Sequence, residues 1–394
     1  MHPEDLTNPQ IPETERQRRI RAAEWAGWAI FFIGGFGTAS WAPLIPVLRE
    51  RLAIDDGTLG LLLFCVGCGS LVTLPFSGKA AALWGCRRVL VTAAIGFALI
   101  LFGLSQVESL WLAAVLVLAF GACMGSIDTC INIQAVIIEQ AARRLIMSRM
   151  QAFWSIGGFT GAGVSAIWMK GLGLSPTVST LIASATMLLL LLMSYRYYLP
   201  YGGDGSGKLF ALPRGVVILL GLVTLIAFLM EGAMMDWSGV FLTTARGFDL
   251  SLAGTAFAVF SAAMLVMRFT GDALIMRLGQ RRVIYAGAVL AFIGFLAIIF
   301  APQLPLLYAG FFLVGVGCAN VVPVFYSMMG RQKVMPVNEA VPAVSTMGYL
   351  GVLMGPAFIG FIVQATSITS AFAFLASLLL VEIVLAYIIF RQQN

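Results

Sequence analysis

Of 394 residues, 60% are hydrophobic and only 11% are charged, and the formal net charge is +6. A soluble domain carries about 25% charged residues, so a water-soluble globule is excluded and a membrane protein is indicated. The basic excess does not point to nucleic acid, because the lysines and arginines are spread over short loops rather than gathered into one patch.

A hydrocarbon core takes about 20 apolar residues per helix. Twelve such runs occur in chain order, at roughly 25–48, 57–79, 88–106, 110–137, 148–170, 176–198, 214–243, 250–276, 282–301, 303–329, 340–365 and 369–390. The tail before them, residues 1–24, is too charged and too interrupted by proline for a signal peptide, and the run from Trp25 is long enough to span. The tail is therefore expected to stay attached. With both termini placed inside, 19 Lys and Arg fall in inner loops and tails and 4 in outer loops, with Arg268 left within a span. That asymmetry predicts cytoplasmic termini by the positive-inside rule.

Polar residues inside the runs are the candidate functional groups, since a carboxylate at membrane depth costs at least about 2.5 kcal/mol to insert and normally faces water or a partner. The fourth run contains "GSIDTCIN". Asp128 lies about 18 residues into that helix, slightly to the inner side of the midplane, with Asn132 one turn on and on the same face. Gly121, Gly125 and Ser126 would let a neighbouring helix approach closely. Burial disfavours the charged form, so Asp128 is expected to hold a proton near neutral pH and to lose it when water enters. A structural role, in which a nearby arginine neutralises Asp128, is the competing reading.

The seventh run carries Glu231 and Asp236, five residues apart and so about 140° apart around the helix. Glu231 is the deeper and the better candidate to face a cavity, while Asp236 beside Trp237 is placed to latch the outer end. On the eighth run, Arg268 and Asp272 share a face at i,i+4 and are expected to pair, as a structural ion pair or a gate. Asn320 on the tenth run precedes Pro323, whose missing N–H frees a backbone carbonyl. Glu382 on the twelfth run is read as structural.

The six cysteines lie in or beside spans, and the only histidine is His2 in the tail. Metal sites, redox sites and disulfides are therefore not expected. Between the sixth and seventh runs, "YGGDGSGKLFALPRG" is Gly-rich and polar, which is the composition of a flexible linker. Its "GGDGSGK" imitates a phosphate-binding loop, but Leu209 stands where Ser or Thr should hold Mg²⁺ and no strand precedes it.

Laying the second half on the first at an offset of 194 aligns Arg87-Arg88-Val89 with Arg281-Arg282-Val283, Gly121 with Gly315, Gly157 with Gly351 and Gly161 with Gly355; an offset of 196 pairs Trp41 with Trp237. The chain is thus read as two copies of a six-helix unit: a tail 1–24, a bundle 25–200, a cytoplasmic linker 201–213 and a bundle 214–394. Parallel repeats about an axis along the membrane normal are a layout of secondary transporters.

At this point the sequence resembles the major facilitator superfamily over nearly its whole length. The family signature between helices two and three stands here as "GKAAALWGCRRV", Gly78 to Val89, with Ala82 in the carboxylate position; in the repeat, "DALIMRLGQRRV", Met276 occupies it. Asp272, one turn earlier, is the stand-in, and Arg87, Arg88, Arg281 and Arg282 are the matching basic residues of a gate. Asp128-Thr129-Cys130-Ile131-Asn132 resembles the fourth-helix pattern of the fucose permease branch, in which the acidic residue is implicated in proton-coupled sugar uptake. "FWSIGGFTGAG", "MEGAMMDW" and "GYLGVLMGP" are similar to segments of the YbjJ-like inner-membrane proteins, where the resemblance implies His at the place of Gln151.

The resemblance implies an all-α fold of twelve transmembrane helices in two six-helix bundles related by a pseudo-two-fold axis, in a bacterial inner membrane. It also implies that helices one, four, seven and ten line the cavity. The expected function is proton-coupled symport of a small polar solute, with Asp128 and Glu231 as proton-coupling acids and Asn132, Gln151, Asn320, Trp41 and Met235 as solute contacts. No enzymatic activity, cofactor or nucleic-acid partner is expected, and the chain is expected to be a monomer. An exporter of apolar or cationic compounds by proton antiport is the alternative, and a non-transporting receptor a third class.

Overall fold

The computed structural model describes residues 10–200, 211–249 and 252–392; most of the expected linker and the start of the tail lie outside them. The described residues form helices and no strand. In chain order they are α1 Glu13–Trp41, α2 Leu44–Leu52, α3 Asp56–Trp84, α4 Cys86–Leu104, α5 Leu110–Ala142, α6 Met147–Ala166, α7 Pro176–Ser194, α8 Val216–Val240, α9 Ala253–Leu278, α10 Gln280–Phe300, α11 Leu304–Cys318, α12 Val321–Met329, α13 Val337–Ala365 and α14 Ile368–Gln392.

Eleven stretches among the described residues are long and apolar enough to cross a membrane. The sequence predicts twelve, and the remaining one is α6, 20 residues long. Its first half carries Ser148, Arg149, Gln151 and Ser155, and its second half is rich in glycine, so length qualifies it where hydropathy does not. Two crossings are broken. The first, Glu13–Leu52, is interrupted at Ala42 and Pro43, and the tenth, Leu304–Met329, at Ala319 and Asn320. Proline supplies the reason in both, since it cannot donate the backbone N–H that a continuous helix needs.

Local signals set the other ends. Asp55 caps α3 by accepting the Thr58 N–H at 2.7 Å, and Ser175 caps α7 ahead of Pro176, the oxygen-bearing residue and the proline standing where each is favoured. Gly85 and Gly279 take positive φ of 86° and 84° at the equivalent α3–α4 and α9–α10 corners, a conformation that only glycine adopts freely.

The chain divides into two compact units. One comprises Met1–Ile146, Met150–Leu212 and Pro336–Ala343; the other comprises Met147–Arg149, Pro213–Met335 and Val344–Asn394. Within the first, α5 lies against α3 through backbone rather than side chains: a Cβ on Gly121 would sit 2.0 Å from the Val66 carbonyl oxygen. Ser70 donates to the Gly121 carbonyl at 2.7 Å, and Ser77 to Ser126 at 2.9 Å, sealing that seam with hydrogen bonds. A Cβ on Gly157 of α6 would similarly meet the Phe32 carbonyl of α1 at 2.3 Å. Small residues at such crossings are how helices associate when lipid removes the hydrophobic driving force. The buried Glu24 of α1 takes both carboxylate oxygens to Arg144, at 2.6 and 2.7 Å, and so ties α1 to the turn after α5.

The second unit repeats the scheme. Gly315 of α11 would place a Cβ 2.4 Å from the Phe260 carbonyl of α9, and Gly351 of α13 one 2.3 Å from the Leu225 carbonyl of α8. Its core joins Met230, Met234, Phe260, Phe295, Phe311, Phe372 and their apolar neighbours.

Candidate functional site

In the first unit the regular winding of α5 brings Asp128 and Asn132 one above the other. The Asn132 amide donates to the Asp128 backbone carbonyl at 2.9 Å and to its carboxylate Oδ1 at 3.2 Å. Gln151 of α6 then donates to Asn132 Oδ1 at 3.2 Å. The result is a directed chain from Gln151 through Asn132 to Asp128, with Asn132 1% and Asp128 9% exposed. A carboxyl held in such a chain is oriented.

Aromatic rings that the sequence reading did not single out flank this chain. Trp28 stacks on Phe153 with centroids 5.3 Å apart, two residues from Gln151, and Trp154 closes over Gly34. Trp41 lies at the end of α1, 6% exposed and tilted against Phe120 with centroids 5.9 Å apart.

The second unit holds a separate polar group. Arg268 of α9 donates to Glu231 of α8 at 2.8 Å, and its Nε reaches the Ala319 carbonyl at 3.4 Å. The expected pairing of Arg268 with Asp272 is therefore corrected. Asp272 instead accepts the backbone N–H groups of Ser148 and Arg149, each at 3.0 Å. Both its oxygens are used on the first residues of a helix, where unpaired N–H groups favour an anion, while the long arginine reaches the other way, to a carboxylate and to a carbonyl freed at the α11–α12 break. Asn320 stands in that break, 3% exposed, with its amide 3.5 Å from the Met267 carbonyl. Gly271 makes room for it: a Cβ there would lie 2.0 Å from Asn320 Oδ1.

Met235 and Asp236 are exposed at the outer half of α8, whereas Met234 is fully buried. Of the basic residues in the signature and its repeat, Arg87 stacks over Tyr195 at 5.3 Å and Arg281 over Tyr285 at 5.6 Å, while Arg88 and Arg282 are exposed. Gly78 packs where a Cβ would meet Pro342 at 2.5 Å. Among the described residues no group of three or more His, Cys, Asp or Glu is placed to hold a metal ion.

An all-helical chain with hydrogen-bonded acids and an ion pair buried inside long apolar helices has the character of a membrane transporter. The Major Facilitator Superfamily model matches residues 27–218 and 219–394, and the chain belongs to that family. It is 43% identical over 353 residues to an uncharacterized MFS-type transporter of Yersinia pestis, covering 89% of this chain and 91% of that protein. Among solved structures it is similar in fold to the fucose:proton symporter FucP of Escherichia coli, with a TM-score of 0.75 at 16% identity, covering 92% of this chain and 97% of FucP. It is also similar to the human organic anion transporter MFSD10, with a TM-score of 0.71 at 16% identity, covering 95% and 100% of the two chains.

Proposed function

We propose that the chain is a secondary active transporter that couples inward movement of a small polar solute to protons by alternating access, with the Asp128 carboxyl carrying the coupled proton. The observation that supports this most is the Gln151–Asn132–Asp128 chain: two amides, both able to donate and accept, aligned on one buried acid. A solute hydroxyl that competes for these amides changes the hydrogen bonds to the carboxyl, and hence which protonation state is favoured. Solute and proton are thereby linked at one place. The fold shared with a proton symporter is consistent with this reading. Glu231 is assigned the counter-charge to Arg268, and Asp272 a latch on the N–H groups of Ser148 and Arg149. The chain is read as a monomer in a bacterial inner membrane with both termini cytoplasmic.

The substrate is found first, by thermal-shift screening of purified protein against sugars, sugar acids, nucleosides and amino acids at two pH values. With the solute so identified, proteoliposomes carrying D128N are expected to lose accumulation driven by a pH gradient while keeping counterflow exchange. Accumulation equal to wild type overturns the role given to Asp128, and efflux of a lipophilic cation in place of solute uptake overturns symport.

A further inference from the structure

The twelfth span is not among the four helices expected to line the cavity, and the sequence reads Glu382 as structural, yet its surroundings are those of a functional acid. It sits on α14, which packs against α8 and α10, and it is 1% exposed. Neither carboxyl oxygen has a hydrogen-bond partner among the described residues. Buried polar groups in native proteins are almost always satisfied, so an acid left with both oxygens bare calls for an explanation beyond packing. An acid kept only for structure would be held by a donor, as Glu24 is by Arg144.

The neighbourhood supplies the explanation. Cys318, at the end of α11 where the tenth crossing breaks, interacts electrostatically with Glu382, Glu231 and Arg268. Of these groups the Cys318 thiol of α11 is the one that interacts with Glu382. From α10, Tyr285 meets Phe390, about two turns further along α14. A bare carboxylate in this apolar core would be prohibitively costly, whereas the neutral acid is tolerated, and the charge can form once water enters to solvate it.

We propose that Glu382 is a second proton-binding site of this transporter, holding its proton while α14 is packed against α8 and α10 and releasing it to water when α14 moves away from them. On unloading, the carboxyl O–H bond breaks, its electron pair stays on oxygen, the proton passes to the entering water, and that water solvates the new negative charge. The role rests on the proton-coupled reading given above, but its test does not.

The probe is the proton itself, followed by infrared difference spectroscopy of wild-type and E382Q protein in lipid nanodiscs, in H₂O and in D₂O. A carboxylic acid C=O band is expected in wild type and missing in E382Q, shifting in D₂O and disappearing as the pH is raised. A band that neither exchanges nor responds to alkali overturns the proposal, as does the absence of any band, which would mean a permanent carboxylate. If E382Q fails to fold, E382D serves instead, with the band displaced rather than lost. D128N run in parallel should keep the Glu382 band. An unresponsive band therefore overturns this site alone, and undiminished coupled accumulation by D128N overturns the Asp128 reading alone.

Discussion

At the scale of single residues the second unit turns on Arg268, whose side chain is 8% exposed and whose partner Glu231 is 27% exposed. Removing one member of a buried pair typically costs about 3–5 kcal/mol because the other charge is left uncompensated; the partial exposure of Glu231 puts this pair at the low end. R268M is expected to lower the thermal unfolding temperature of purified protein clearly, and R268M combined with E231Q to recover most of the loss. A double variant no better than the single one would show that the pair is not what holds Arg268 in place. These partners were only partly legible in the sequence. Asp128 and Asn132 could be placed together because four residues on one helix is one turn, and Gln151 was named as a solute contact without any sign that it would reach Asn132. Arg268 was matched to Asp272 by the same i,i+4 rule, which knows only one helix. Glu231 and the Ala319 carbonyl belong to two others, and nothing in a one-dimensional pattern weighs them against a same-helix neighbour.

At the scale of helices, two features lend themselves to measurement. The Thr58 backbone N–H donating to Asp55, at the entry to α3 and outside the spans, holds that carboxyl below the usual carboxylate range. With the folded value depressed, the cap contributes above the unfolded value of about 3.9 and is lost as pH falls through the folded one. Hydrogen-exchange protection in the first turn of α3 should therefore be higher in wild type than in D55A near neutrality, with the difference vanishing below that range.

The second feature is the pair of backbone-on-backbone crossings at Gly121 and Gly315. A methyl group at either would press on a main-chain carbonyl, which cannot rotate aside as a side chain can. G121A and G315A are each expected to cost about 1–3 kcal/mol, the usual range for overpacking. G60A, where a Cβ meets nothing within 4 Å, should be close to neutral in the same thermal unfolding assay; equal losses at all three would refute the steric account.

At the scale of the whole molecule, the duplication seen in sequence reappears as geometry. Gly121 meets Val66 and Gly315 meets Phe260, so both members of the contact are displaced by the same 194 positions. This much was readable because close helix crossings demand glycine, and glycine is visible in a sequence. The polar interior was read less well because the two copies share packing but not chemistry. Deep in the spans the first carries Asp128 with two amides, and the second carries the Arg268–Glu231 pair and the acid Glu382. The breaks themselves were half legible: Pro323 announced a freed carbonyl, but not that an arginine from another helix would claim it. The fifth run, 148–170, is the span that α6 fills, and its glycines and Gln151 are what let it touch both α1 and Asn132.

The hold of Arg268 on the Ala319 carbonyl has a mechanical meaning. That oxygen has lost its place in the helical ladder, and the guanidinium supplies the donor it needs. Withdrawing the arginine strands a dipole in hydrocarbon, and straightening α11 and α12 cannot rescue it, because the residue four places on is Pro323, which has no N–H to give. The kink is therefore built into the covalent chain, and the arginine is the prop that makes it tolerable at that depth.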